Sequence, residues 1–251
     1  MKIRAFRRAV ALGFTLALCM VRYWLLRLRG PLSMDERGLY GHSCGQPLMS
    51  ALGIRLRYSG ELPAGGLVVS NHLSYIDVLI YGAIIPCFFV AKAEISGWPF
   101  FGMFARSGGT LFVDRSSRAS AEQVSREIAE RLEGTVPVLM FPEGTSTDGS
   151  RLLRFRSRLF TPAIEGGAPV TAAAIRYVIE DGTPERELCW FGDDAFLPHL
   201  WKALGTAGFT AEVTFGEPRV YTSRRAAADA TQAEVEAMRS QEVQEVLERV
   251  S

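Results

Sequence analysis

Histidine and cysteine are scarce in this chain, and neither forms a metal-binding pattern. The 251 residues include three histidines and four cysteines. No Cys-x-x-Cys pair occurs and no histidine stands at metal-ligand spacing, so the sequence predicts no metal site and indicates reduced thiols in a domain that faces the cytosol. Because histidines are few, few side chains can act as a general base near neutral pH. This narrows the search for catalytic residues.

Acidic residues are absent from the first part of the chain, although the net charge of the whole is only +1. The first one is Asp35, and seven basic residues precede it: Lys2, Arg4, Arg7, Arg8, Arg22, Arg27 and Arg29. The remainder is therefore net acidic, which argues against a general nucleic-acid-binding protein.

Long hydrophobic runs are also lacking, apart from residues 9–21, which fall short of the roughly 20 residues that a spanning helix needs. A cleaved signal peptide would require a small-x-small site, and a spanning helix would have to contain Arg22. An interfacial anchor fits best, because Tyr23 and Trp24 extend the apolar surface while arginines reach anionic head groups. We expect residues 1–30 to anchor a domain formed by residues 31–251.

The rest of the chain has the composition of one globular domain, with 48% hydrophobic and 22% charged residues overall. Short apolar runs alternate with helical patterns, notably 120–133 and the segment after Asp77, and a terminal helix is indicated over 226–250. This alternation predicts an α/β sheet covered by helices. The predicted strands are 67–70, 88–91, 110–113, 136–141, 170–175, 188–191 and 211–215.

His72 and Asp77 lie where the predicted strand 67–70 ends and a helix begins. On one straight helix, residues five apart diverge by about 140°. The two side chains meet only if His72 precedes the helix and Asp77 lies in its first turns. Asp77 could then accept a proton from one imidazole nitrogen and leave the other free to take a proton from a substrate hydroxyl. A local hydrogen bond without catalytic meaning is the alternative.

Two further predicted strands are followed by residues that could bind a ligand. Gly109–Arg115 places Arg115 just past a strand, where its guanidinium could bind phosphate or simply pair with Asp114. The apolar run 136–141 leads directly into Pro-Glu-Gly-Thr, and ligands bind at such strand ends in α/β sheets. Glu143 is therefore either a ligand contact or an ordinary turn acid, and Gly144 allows a backbone N–H to approach a substrate closely.

Gly41–Gly45 matches Gly-x-Ser-x-Gly, the nucleophile elbow of serine hydrolases, and makes Ser43 a candidate nucleophile of an esterase. The elbow requires a buried strand before the serine. The polar segment 35–40 precedes it instead, so a chance match is favoured.

The ordered set His-x4-Asp, Gly-Thr-Leu-Phe-Val-Asp-Arg and Phe-Pro-Glu-Gly-Thr resembles the glycerophospholipid acyltransferase family, including the PlsC-type enzymes. A fourth block, a Pro-Val strand, is matched at Ala168–Val170, and the resemblance covers roughly residues 60 to 220. It implies a mixed sheet covered by helices. It also implies an enzyme on the cytoplasmic face of the inner membrane that works without a cofactor or metal.

The resemblance implies transfer of a fatty acyl group from acyl-CoA or acyl carrier protein to the hydroxyl of a lysophospholipid such as lysophosphatidic acid. In these terms His72 is the base and Asp77 orients it, while Arg115 holds the acceptor phosphate. Glu143, Gly144 and Thr145 complete the acceptor site. Aromatic residues between the first two motifs could form an apolar track for the acyl chain, a membrane-facing patch or an ordinary part of the core: Phe88, Phe89, Trp98, Phe100, Phe101 and Phe104.

One departure from the family pattern concerns the acceptor. Many acylglycerol-phosphate enzymes have an arginine after Gly-Thr, whereas Ser146 stands there in this chain. Either Arg151, Arg154 and Arg156 compensate, or the acceptor is another lysolipid such as lyso-ornithine lipid.

Overall fold

Two helices precede the sheet in the computed structural model, which describes residues 2–98, 101–114 and 116–250, with side chains as far as residue 240. Helix α1 spans Lys2–Arg27 and α2 spans Met34–Leu52. Helix α2 begins at a capping box, in which Ser33 and Glu36 each accept the other's backbone N–H, and ends at Gly53 with φ +72°. The capping box fixes the start of α2 after the turn from α1, and Gly53 ends the helix before the next element at Ile54.

Helix α1 is long and apolar enough to cross a membrane, judged by length and composition. One face packs on the protein, burying Leu12, Leu16 and Cys19. The Tyr40 hydroxyl of α2 donates to the Cys19 carbonyl, and the Arg8 guanidinium donates to the Thr206 carbonyl at 2.9 Å. The helix is therefore fixed to the domain along one side, whereas its other side remains exposed and apolar.

The described residues form a seven-stranded mixed sheet of order β1-β7-β6-β2-β5-β3-β4. All neighbours pair in parallel except β6 and β7, which are antiparallel. This confirms the predicted α/β fold with a mixed sheet. The strands are β1 Ile54–Ser59, β2 Leu67–Ser70, β3 Phe88–Lys92, β4 Leu111–Val113, β5 Val138–Met140, β6 Val170–Val178 and β7 Phe209–Phe215.

Helices cover both faces of the sheet, which is why the central strands read as continuous apolar runs. Val68 and Leu139 point into one core, and Leu67, Val69 and Val138 point into the other. Every residue of β2 and β5 is buried. The remaining helices are α3 Ile76–Ile84, α4 Phe101–Ser107, α5 Arg118–Leu132, α6 Thr161–Glu165, α7 Phe196–Gly205 and α8 Arg224–Val250.

Two strand predictions differ from the structure. The strand predicted over 188–191 is not formed, because that segment follows a short 3₁₀ turn at Glu185–Glu187 and is used to bind the Leu73 carbonyl through the Trp190 N–H. Strand β1 at Ile54–Ser59 was not predicted, since this edge strand is mostly exposed and carries charged side chains.

The Gly-x-Ser-x-Gly segment lies inside α2 and is not a strand-turn-helix elbow. The Ser43 hydroxyl donates to the Tyr40 carbonyl one turn earlier, a common local bond for serine in a helix. The structure therefore removes the geometric basis for Ser43 as an esterase nucleophile.

Candidate active site

His72 lies in the connection between β2 and α3, and Asp77 lies in the first turn of α3. The imidazole Nδ1 is 2.8 Å from Asp77 Oδ2. An ionised carboxylate only accepts hydrogen bonds, so Nδ1 carries the proton and Nε2 has the free lone pair. The two side chains predicted to meet are thus in contact, in the tautomer that a general base requires.

Asp77 is fully buried and is held by other donors besides the histidine. The backbone N–H groups of Leu73 and Ser74 donate to Oδ2 at 2.7 and 3.0 Å, and the Tyr177 hydroxyl donates to Oδ1. Burial and the Asp77 charge raise the pKa of Tyr177 well above its ordinary value, so the phenol keeps its proton and donates. The carboxylate is therefore satisfied on both oxygens and fixed in position.

Tyr177 was not predicted as a site residue. It lies on β6, 100 positions beyond Asp77 along the chain. Sequence reasoning had no local signal for it, because only the pairing of β2 with β6 brings the two side chains together.

Phe141 packs against one face of the His72 ring. The two rings stack with centroids 4.0 Å apart and planes inclined by 10°. Phe141 directly follows β5, which pairs in parallel with β2, so both residues leave the same edge of the sheet. Stacking and the Asp77 bond together leave the imidazole little freedom to turn.

Glu143 holds the main chain of the site. Its two carboxylate oxygens accept the backbone N–H groups of His72 and Leu153, each at 2.8 Å. The side chain is only 2% exposed, and burial raises its pKa, although these two N–H donors oppose the rise. Glu143 is not on the wall of the cavity beside His72. Its carboxylate thus contacts the backbone in this structure, as a positioning residue does, and the expected contact with the acceptor stays a prediction.

Gly144 and Thr145 do lie on the cavity wall, as expected for an acceptor site. Gly144 has φ +79°, and a Cβ atom there would lie 2.8 Å from the Arg156 guanidinium carbon. Only glycine suits this backbone conformation beside Arg156. The following turn is closed by the Thr147 N–H, which donates to the His72 carbonyl at 2.9 Å. Arg115, the expected phosphate ligand, lies outside the described residues.

A large cavity of about 1040 Å³ opens beside His72. Its size is at the upper end of small-molecule sites. One part of its wall is apolar and includes Phe89, Trp98, Phe101 and Phe104, which the sequence indicated as an acyl track. Phe88 is instead buried in the core, and Phe100 lies outside the described residues. Another part of the wall carries charged side chains from the 154–158 segment and α8.

No group of three or more metal-ligating side chains occurs among the residues that the structure describes. All four cysteines are buried as free thiols. The cavity wall includes two imidazoles, His72 and His42, and the Nδ1 atom of His42 lies 2.9 Å from the Gly82 carbonyl oxygen.

Comparisons with known proteins find a family and relatives that this chain resembles. The model of the family described as Acyltransferase matches residues 54–176. The 1-acyl-sn-glycerol-3-phosphate acyltransferase of Neisseria gonorrhoeae is 35% identical over 211 residues, which is 79% of this chain and 81% of that protein. The lyso-ornithine lipid O-acyltransferase of Pseudomonas aeruginosa is 37% identical over 172 residues, covering 68% of this chain and 66% of that protein.

A solved structure has the same fold. The 1-acyl-sn-glycerophosphate (LPA) acyltransferase PlsC from Thermotoga maritima superposes with a TM-score of 0.67 at 18% identity, covering 94% of this chain and 95% of that one.

Proposed function

This chain belongs to the acyltransferase family, and we propose that it transfers a fatty acyl group from a thioester donor to the free hydroxyl of lysophosphatidic acid, forming phosphatidic acid. The observation that carries the proposal is the His72–Asp77 pair, hydrogen-bonded at 2.8 Å and open to a cavity of about 1040 Å³. The donor is acyl-CoA or acyl carrier protein, used as a co-substrate.

In this reaction His72 Nε2 takes the proton of the acceptor hydroxyl while the oxygen attacks the thioester carbonyl. Asp77 stabilises the imidazolium that forms, as in other histidine-carboxylate pairs. The tetrahedral intermediate then collapses, the carbon–sulfur bond breaks, and the proton on His72 passes to the leaving thiolate. No enzyme nucleophile is needed, because the thioester is already activated.

The intermediate has an oxyanion that requires hydrogen-bond donors. The backbone N–H groups of Thr145 and Ser146 donate to no acceptor among the described residues, and both residues line the cavity beside His72. We assign these two groups as the donors to the oxyanion.

A second acceptor, lyso-ornithine lipid, is favoured by the residue after Gly144–Thr145. Ser146 occupies the position where the family pattern that the chain resembles commonly has an arginine, and its hydroxyl donates to the Trp190 carbonyl. This position therefore supplies no cation for a phosphate. The transfer chemistry at His72 is the same for both acceptors.

We propose that helix α1 holds the protein at a membrane surface, and that this surface is the cytoplasmic face of the inner membrane. Its outer face exposes large apolar side chains, including Phe6, Val10, Phe14 and Trp24. Because its inner face is packed on α2 and α7, the helix lies flat against the domain with the outer face available to lipid.

The proposed function is tested with purified full-length protein by measuring thiol release from acyl-CoA with and without lysophosphatidic acid. We expect acceptor-dependent release that His72→Ala abolishes and Ser43→Ala preserves, both variants keeping the wild-type circular dichroism spectrum. Release that survives His72→Ala but is lost in Ser43→Ala would contradict the proposal, as would the absence of release with every lysolipid.

A further inference from the structure

Five charged side chains from two separate segments line the cavity, and one of them, Arg156, lies against Gly144. Of the other four, Arg154 and Arg158 come from the segment after the active-site loop, and Arg225 and Asp229 come from the first turns of α8. We call these four residues the polar wall. None of them forms a salt bridge with a described side chain, so their charges are available to a ligand.

The fold ties the polar wall to the catalytic centre. Glu143 accepts the N–H of His72 on one oxygen and the N–H of Leu153 on the other. Arg154 is the next residue along the chain, so its backbone is fixed relative to His72 by one buried carboxylate. Arg154 and His72 both line the same cavity, so one ligand in that cavity can contact both.

Helix α8 is joined to the same segment. The Phe155 N–H donates to the Gln232 side-chain oxygen at 2.9 Å. Arg225, Asp229 and Gln232 are spaced four and three residues apart, which places them on one face of the helix. The face that holds Phe155 therefore also presents Arg225 and Asp229 to the cavity.

The charges of the polar wall indicate the kind of headgroup. Three guanidinium groups suit a carboxylate or phosphate, which they can bind through paired N–H donors. Asp229 is unfavourable next to a dianionic phosphate monoester but favourable next to an ammonium group. The headgroup of lyso-ornithine lipid carries both a carboxylate and an ammonium, whereas lysophosphatidic acid carries only the phosphate.

We propose that the polar wall binds the acceptor headgroup, with Arg154, Arg158 and Arg225 holding its anionic group and Asp229 favouring a headgroup that also carries an ammonium. This inference rests on the proposed acyl-transfer reaction. The polar wall, which lies outside the strand-end motifs, would then favour lyso-ornithine lipid over lysophosphatidic acid.

The experiment measures kcat and KM of the full-length protein for lysophosphatidic acid and for lyso-ornithine lipid, with one acyl-CoA. Arg225→Gln should raise KM for both acceptors by about tenfold and leave kcat within about twofold, because it removes a binding contact. Asp229→Asn should lower the ratio of kcat/KM for lyso-ornithine lipid over lysophosphatidic acid by about tenfold, since the ammonium loses its partner and the phosphate loses a repulsion.

Matched controls come from neighbouring exposed residues that do not line the cavity. Arg224→Gln removes the same charge one position earlier in α8, and Glu217→Gln removes an acidic charge before that helix. Both should behave as the wild type. Arg225→Lys, which keeps the charge, should recover part of the lost affinity.

The inference is overturned if Arg225→Gln and Asp229→Asn match their controls while the wild type acylates either acceptor. A wild type that acylates neither acceptor overturns the proposed function itself, and the headgroup assignment with it. Thermal unfolding of each variant shows whether a lost activity reflects the site or the fold.

Discussion

His72 and His199 are both hydrogen-bonded on their ring nitrogens, but their partners differ in charge. His72 Nδ1 donates to the Asp77 carboxylate, whereas His199 lies between the Tyr75 hydroxyl at 3.1 Å and the Leu188 carbonyl at 3.2 Å. Burial lowers the pKa of His199, so it is held in its neutral form. The difference supports the interpretation that a carboxylate partner and access to the cavity, rather than the imidazole alone, distinguish a general base.

The largest expected effect on kcat comes from removing the charge of Asp77, the partner of His72. Asp77→Asn keeps the size of the side chain, but its amide can offer a donor to Nδ1 and so favours the wrong tautomer. We expect kcat to fall by about 10³- to 10⁴-fold, the loss seen when a histidine-orienting carboxylate is neutralised in a catalytic triad. The kcat of the variant is measured from the rate of thiol release from acyl-CoA. A kcat within tenfold of the wild type would show that Asp77 is not needed to orient the base.

Glu143→Gln tests the second carboxylate near His72. The Glu143 carboxylate contacts the backbone of His72, whereas Asp77 contacts the imidazole ring. The substitution replaces one acceptor oxygen by an NH₂ group, so a buried backbone N–H of His72 or Leu153 loses its partner. The expected cost is about 1–3 kcal/mol in the free energy of unfolding. The activity should fall by about 10- to 100-fold, because the base is displaced from its productive position.

Urea unfolding and steady-state kinetics of the Glu143 variant separate a positioning residue from an acceptor contact. A positioning residue changes kcat and stability together. A rise in KM for the acceptor with unchanged stability would instead support the role of Glu143 as a substrate contact.

Tyr177→Phe has a smaller expected effect on the same pair. The variant removes the hydroxyl that donates to Asp77 Oδ1 and leaves Oδ2 with its three donors. We expect kcat to fall by up to about tenfold and stability by about 1–3 kcal/mol, because one buried carboxylate oxygen becomes unsatisfied. Unfolding and kcat are measured on the same preparation. Wild-type values for both would mean that the backbone donors alone fix Asp77.

The sequence predicted the parts of the site that depend on short separations. His72 and Asp77 are five residues apart, and the apolar strands before them and before Glu143 are readable because both faces of the sheet are covered. Tyr177 and the α8 contribution of Arg225 and Asp229 were not predictable, since strand pairing and helix packing bring them in from distant segments. Glu143 was recognised as a site residue, but only the structure shows that it points at the backbone.

The smallest effect concerns His199, the histidine with neutral partners. Its pKa is lowered in the folded protein, so the stability it contributes is present at neutral pH and is lost as the pH falls through the folded value, below the ordinary histidine range. His199→Gln can keep both hydrogen bonds, because a glutamine amide accepts from Tyr75 and donates to Leu188, but it does not titrate. Urea midpoints at neutral pH and at about pH 5 should therefore show a smaller acid loss in the variant, by about 1 kcal/mol or less. If the wild type and the variant lost stability in parallel, the buried histidine would not be the acid-sensitive group. The contrast with His72 would then rest on access to the cavity alone.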